Sequence, residues 1–263
     1  MKKEKHFIKQ NFVFMLSRIK KNLVIGFSKR AGRNFFGRKT VFTQSGGVFT
    51  KLRIIDFFRL LNRKGVVLSV EKDVKRTGYI GLIMFENGFF SYILLSSTMQ
   101  KVGSIINGFN IGNFFNSSKF LMNISTGNFV HHIEKIPGSG AIFVRSAGSS
   151  SFLISEDDNF SFVKMQSGWL LKLSKFNIGV IGTVSNIDHQ TNRVKNAGKN
   201  RLLGVRPKVR GVAMNPCDHP HGGGEGTGSP PSAHKTPWGK LTKVPTLRKK
   251  KYLLKKKLFK IYD

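Results

Sequence analysis

Cys217, His219 and His221 stand at alternate positions within Val205–Gly226, VRPKVRGVAMNPCDHPHGGGEG, and they are the side chains of this sequence best equipped for chemistry. A thiolate and two imidazoles are zinc-ligand types. A zinc site wants three or four ligands, however, and a structural one wants a second Cys/His pair. The chain has no other cysteine, His131-His132 lies far off in a strand-like run, and Pro220 limits the joint aim of the two histidines. Imidazole titrates near neutrality, so His221 is the candidate general base, but no nucleophile is paired with it. Gly222–Gly226 could cradle a phosphate, yet the Gly-Lys-Ser/Thr ending that sets a lysine on phosphate is missing. A zinc- or nucleotide-dependent enzyme built on Cys217, His219 and His221 is therefore the alternative reading. Metal analysis of the purified protein separates it from a binding function.

The same segment reads more directly as a contact strap. It has no apolar stripe at helical or strand spacing, so it is not written to fill a core. Arg206, Lys208, Arg210, His219 and His221, with Asn215 among them, are set around Gly211, Gly222, Gly223, Gly224 and Gly226. Glycine lets the backbone lie close to another surface and take up positive φ. Pro207, Pro216 and Pro220 stiffen the path and disfavour helix. Cations supply charge-assisted contacts to phosphate. Asp218 and Glu225 would orient neighbouring groups or help to hold a cation between phosphates. Such a strap suits a groove in something rigid and polyanionic.

Charge agrees. The 263 residues hold 45 Lys+Arg against 13 Asp+Glu, a formal net charge of +32. Residues 1–65 carry 17 basic and 2 acidic side chains, residues 66–197 carry 12 and 8, and residues 198–263 carry 16 and 3. A near-neutral middle between two basic arms is the layout of a globular body whose extensions thread through nucleic acid. No apolar run approaches the ~18 residues of a membrane span. The start, with Phe12–Leu16 between lysines, predicts a short amphipathic helix or a weak targeting signal. One cysteine allows no intrachain disulfide framework. Abundant Phe, Lys, Asn and Ile point to A+T-rich codons.

The middle must position these arms, and it reads as all-β. Tyr79–Phe85 and Phe89–Leu95 flank Glu86-Asn87-Gly88, a hairpin signal. Phe129–Ile136 and Ala141–Arg145 flank Pro137-Gly138-Ser139-Gly140. Ser151–Ser155 and Phe160–Met165 flank an acidic turn, and Trp169–Leu173 follows Gln166-Ser167-Gly168. Short strands without helices between them indicate small barrels rather than a parallel α/β sheet. Residues 66–197 suffice for two, with a break in the Gly/Asn/Ser-rich Gly103–Ser118. Ser229–Ser232 and Thr236–Gly239 read as irregular. Leu247–Lys260 reads as a short basic helix or a segment that orders only on RNA.

RGVAMNPCDHPHGGGEG followed by TPWG resembles the signature of the universal large-subunit ribosomal protein two family. GRNFFGRKTVFTQSGG at Gly32–Gly47, LRIIDFFR at Leu52–Arg59, YIGLIMFENGFFSYILL and ISTGNFVHHIEKIPGSGAIFVRSAG at Ile124–Gly148 extend the likeness from about Gly32 to Gly239. Where that family has three glycines followed by His-Lys, this chain has Ser45–Thr50. The resemblance implies an OB-like RNA-binding barrel at 50–115 and an SH3-like barrel at 116–197. Basic extensions would occupy 1–49 and 198–263. It implies a structural role: binding large-subunit rRNA, supporting assembly, and supporting association with the small subunit near the peptidyl transferase centre. Neighbouring ribosomal proteins would be partners; a membrane or a small-molecule substrate would not. No cofactor is implied beyond Mg2+ shared with rRNA phosphates. Arg33, Arg38, Arg53 and Arg59 would neutralise phosphates on the N-terminal side, and Arg145 would do so from the second barrel. Arg206, Lys208, Arg210, Asn215, His219, His221, Gly222, Gly223 and Gly224 would do so from the strap. Catalysis there belongs to RNA. The divergent, Phe-rich sequence points to a mitochondrial ribosome more than a plastid or bacterial one. A free nucleic-acid chaperone is the further alternative, and sedimentation of the native protein distinguishes it.

Overall fold

The computed structural model describes residues 17–61, 63–99, 101–107, 109, 117–226, 233–242 and 253–254. The chain divides into two units: Met1–Phe27 with Thr50–Arg193 and Lys251–Asp263, and Ser28–Phe49 with Val194–Lys250. The two basic arms, expected as separate extensions, thus contribute to one unit, while residues 17–27 go with the body.

The body is mainly β. Strands β1 (Val24–Phe27) and β2 (Thr50–Arg53) pair antiparallel at its entry. β3 (Gly65–Lys72), β4 (Tyr79–Phe85), β5 (Phe90–Leu94) and β6 (Ile105–Ile106) make a sheet of order β5-β4-β3-β6. The expected Asn-Gly hairpin joins β4 to β5, with Gly88 at φ 78°. A bulge between Val67 and Ser69 bends β3, as curling a sheet requires. Both faces of β4 are covered. Ile80 and Leu82 pack with Ile55, Tyr92, Leu94 and Val184, and Ile83 and Phe85 pack with Val67, Ile93, Leu95 and Ile106.

The second sheet draws on β7 (Ser118–Phe120), β8 (Phe129–His131), β11 (Ser151–Glu156), β12 (Phe160–Met165), β13 (Leu170–Ser174) and β14 (Ile178–Ile181). β9 (Ile133–Glu134) and β10 (Ala141–Phe143) form a separate pair. The core of this half is Leu121, Ile124, Val130, Ile133, Val144, Leu153, Val163, Leu171, Leu173 and Ile181. Fully burying each such aliphatic side chain favours the fold by about 1.5–3 kcal/mol.

Phe129–Ile136 is not one strand as expected. His132 sits at φ 56° and donates its backbone N–H to the Val144 carbonyl, breaking the run into β8 and β9. The buried Glu134 carboxylate then accepts backbone N–H bonds from Gly138, Gly140 and Ile178 at 3.3, 3.0 and 3.0 Å. It holds the Pro137–Gly140 turn against β14. The two halves are joined at Val184-Ser185: Ser185 donates its backbone N–H to Leu95, and its Oγ accepts the Tyr79 N–H. The expected basic helix at Leu247–Lys260 lies mostly outside the described residues. Of that run, Leu253–Leu254 forms β15 beside β13 rather than a helical turn. No helix among the described residues is long and apolar enough to cross a membrane.

Candidate nucleic-acid interface

In the second unit, backbone rather than apolar packing makes the shape. Residues 28–49 begin with a tight loop closed on Gly32, whose carbonyl accepts from Thr40 and Val41 at 2.9 and 3.1 Å. A Cβ on Gly32 would stand 2.2 Å from the Val41 carbonyl oxygen, so only glycine fits. Within the loop, Arg33 and Lys39 bridge antiparallel. Asn34 caps the turn by accepting the Arg38 N–H at 3.0 Å. Arg33 and Arg38 remain exposed at its surface.

The two arms are clasped. Ser45 donates to the Gly204 carbonyl at 2.7 Å, Val48 to Leu202 at 2.9 Å, and Arg206 to Thr43 at 2.8 Å. Gln44 and Val205 form a bridge, and the Lys29 ammonium donates to the Val48 carbonyl. Gly204 follows the short helix Ala197–Leu202 and its C-cap Leu203, and sits at φ 87°. This is the left-handed stop expected of a glycine just past a helix. Added side chains on Gly47 or Gly204 would meet the opposite arm's backbone at 2.5 and 2.7 Å.

Beyond the clasp the strap folds on itself. Arg206, Lys208, Arg210 and Asn215 are exposed. The prolines do not abolish all helix, since Gly211–Ala213 makes one 3-10 turn. His219 is only 8% exposed, and its ring lies against Gly211. Its Nδ1 accepts the His221 N–H at 3.0 Å, and His221 Nε2 accepts the Lys235 N–H at 3.0 Å. One nitrogen of each imidazole therefore accepts a backbone N–H and helps to lock the strap. The second nitrogen of each ring is left for the expected donation to RNA. The lock occupies two of the nitrogens a metal would need, and among the described residues no group of three His, Cys, Asp or Glu could hold a metal ion. Cys217 is exposed.

The glycines divide by cause. Gly222 would place a Cβ 2.3 Å from the Asn215 carbonyl oxygen, and Gly223, at φ 81°, would place one 2.6 Å from Pro216. These two are demanded by the strap's own packing. Gly224, at φ 83°, has open space beside it. The segment around Thr236–Gly239, expected to be irregular, is a closed turn: Thr236 donates to Lys240 and Lys235 bridges Leu241. No ion pair forms among the described residues of this unit.

The body treats its arginines differently. Arg53 donates to the Glu71 carboxylate at 2.9 and 2.8 Å and lies 3.5 Å from Asp73. Partial burial opposes its charge, but Glu71 outweighs that and the net shift is upward. Tyr92, hydrogen-bonded to Glu71, is pushed up to about 12, first by burial and then by that carboxylate. Arg59 is 6% exposed, with its backbone at φ 52°. Burial lowers it to about 10, and Asp56 is the counter-charge that resists the shift. Arg59, expected among the RNA contacts, is thus buried beside Asp56 rather than exposed at the surface. Arg145 is half-buried over the Phe57 ring at 5.1 Å, with Arg76 over the same ring at 4.6 Å and His132 stacked on it at 5.5 Å. Of the expected contacts, the structure brings together those of the arms and leaves Arg53, Arg59 and Arg145 in the body. The clasp glycines and the capping Asn34 escaped the sequence reading. Only Gly204, just past a short polar helix, carries a local signal.

The model of the RNA binding N-terminal domain of Ribosomal Proteins L2 matches residues 20–107, and that of the C-terminal domain of Ribosomal Proteins L2 matches residues 111–239. These matches fit the first curled sheet as OB-like and the second as SH3-like. The chain is 44% identical over 235 residues to large ribosomal subunit protein uL2m of Reclinomonas americana, covering 88% of this chain and 85% of that one. It is 41% identical to uL2 of Wolbachia sp. subsp. Brugia malayi (strain TRS) over 231 residues, covering 88% and 84%. It is 40% identical to uL2 of Orientia tsutsugamushi (strain Ikeda) over 237 residues, covering 88% and 85%. Two matched domains and a likeness over 88% of its length carry the same conclusion as the strap itself: the chain belongs to the ribosomal protein L2 family.

Proposed function

We propose that this chain is a structural, non-enzymatic constituent of the large ribosomal subunit that binds large-subunit rRNA. The observation that carries the reading is the clasped unit. Ser28–Phe49 and Val194–Lys250 hold 17 basic and 2 acidic side chains, with no ion pair among the described residues. Such a surface needs external anions, and an RNA backbone supplies them. Arg33, Arg38, Arg206, Lys208 and Arg210 bind phosphates, and the folded strap presents Asn215 and the glycine backbone beside them. Mg2+ enters only as an ion shared with rRNA phosphates. Residues 50–115 and 116–197 are the two barrels that carry the arms. In this reading the strap works near the peptidyl transferase centre, supports subunit assembly and joining to the small subunit, and contacts neighbouring ribosomal proteins. The ribosome is mitochondrial, a placement supported by the uL2m relative, although bacterial relatives are nearly as similar. A tagged chain in native lysate tests the reading by gradient sedimentation. Co-migration with large-subunit rRNA is expected, and confinement to the light fractions would overturn it. Fractionation of organelles tests the mitochondrial placement.

A further inference from the structure

We infer that the turn tip bearing Phe35 and Phe36 is a stacking site for unpaired nucleobases of RNA. The inference rests on the rRNA-binding reading above and names what one part of the surface recognises. The two rings are 85% and 82% exposed, so neither contributes to a core. They meet edge to face, with centroids 5.8 Å apart at 82°. Their backbone is held: Asn34 donates to the Arg38 carbonyl at 2.9 Å, Gly37 donates to Asn34 at 3.1 Å, and the Asn34 side chain closes the turn. The same stretch exposes its other aromatics, Phe42 and the fully exposed Phe49.

Charge selects the occupant. Residues 28–49 contain five cations and no acid, and Arg33, Arg38 and Lys39 lie exposed on either side of the rings. A partner must therefore be anionic and must also offer flat apolar faces. Unpaired nucleotides offer both, because each carries a phosphate and an accessible π-face. Paired bases keep their faces inside the stack, so a duplex satisfies the cations but not the rings. Two perpendicular rings cannot join one continuous base stack. One ring stacks while the other wedges against the base edge, which favours a splayed loop or bulge.

The test uses the full chain and two labelled RNAs of equal phosphate number: an oligoadenylate of about 12 nucleotides and a blunt duplex. Phe35→Ala/Phe36→Ala should weaken oligoadenylate binding about tenfold or more. Duplex affinity, the salt slope and the melting temperature should not move. Arg33→Ala/Arg38→Ala should weaken both RNAs and lower the salt slope by about two. Phe35→Trp should retain affinity, and its added indole emission should be quenched by oligoadenylate. Equal loss on both RNAs, or no loss on either, overturns the stacking site. The second outcome would assign the rings to a protein contact. Failure of the unaltered chain to bind either RNA would instead overturn the rRNA reading itself.

Discussion

Arg53 and Arg206 both occupy basic stretches, and their surroundings are opposite. Arg53, in the body, is bonded to Glu71 and lies beside Asp73. Arg206, in the clasped arms, is exposed, and among the described residues it is engaged through its backbone N–H, which donates to Thr43. The aromatics differ in the same way. Tyr92 and Phe85 are buried in the body, whereas Phe35, Phe36, Phe42, Phe49 and Trp238, all the aromatic residues of the second unit, are exposed. The body pairs Arg53 with acids and buries aromatics such as Tyr92 and Phe85, although it also exposes Phe89, Phe129 and Phe176. The arms spend glycine, imidazole and backbone hydrogen bonds on shape and leave cations and rings facing outward. Net charge by itself does not distinguish a cation that holds a fold from one that meets a ligand; the counter-charge does.

Several measurements can break or sharpen that contrast. The largest effect should be of salt on RNA affinity. Several unneutralised cations acting together should weaken binding by about a thousandfold or more between about 50 and 200 mM salt. Arg53→Gln should leave the slope as it is. A flat dependence, or a slope governed by Arg53, would erase the difference between the regions. Next, Leu153→Ala opens a cavity in the wholly buried second core and should cost about 2–5 kcal/mol in chemical unfolding. RNA affinity, read well below the melting point, should hardly change.

The strap glycines should separate into two grades. Gly222→Val forces side-chain atoms onto the Asn215 carbonyl and should cost on the order of 2 kcal/mol locally. Proteolysis near residues 211–223 and loss of RNA affinity would report it. Gly224→Ala meets no neighbour and carries only left-handed strain, about 1 kcal/mol. Equal effects would show that RNA, rather than the strap, crowds both positions.

Acid should act on the body. Burial, assisted by Arg59, lowers His131 to about 3. Burial lowers His132 as well, with Arg59, His131, Arg145 and Arg76 adding to it. The unfolded chain binds these protons near pH 6.5, so it gains protons first as pH falls. Stability is then complete above about pH 6.5 and declines toward pH 3, by about 1–2 kcal/mol for His131 alone between pH 7 and 5. Urea midpoints across that range would measure the decline. A His131→Asn/His132→Asn chain should show a flatter profile.

Much of this was legible from residue order. Tyr79–Phe85 and Phe160–Met165 are strands with the expected bounds because a continuous apolar run in the first and alternation in the second agree with the flanking turn residues. β3 and β14 are not marked in the same way: Glu71-Lys72 ends the first with charge, and Gly179 interrupts the second. The left-handed His132 has no local signal, since only its bond to Val144 requires it. The strap announced itself through composition. The pairing of Ser45 with Gly204 depends on partners more than 150 positions apart, and no local pattern encodes that. The likeness to the L2 family pointed to the strap as a whole, but not to which of its histidines and glycines face inward.

The clasp also sets an order of events during synthesis. Thr43, Ser45 and Val48 leave the ribosome that makes them long before Leu202, Gly204 and Arg206 exist, and Thr50–Arg193, most of the body, is translated in between. Chains fold domain by domain as they emerge, and long-range closure comes late. The N-terminal arm therefore spends most of translation as an open cationic ribbon, free to capture whatever polyanion is nearest. The second unit acquires its final shape only when nearly all of the chain has been made.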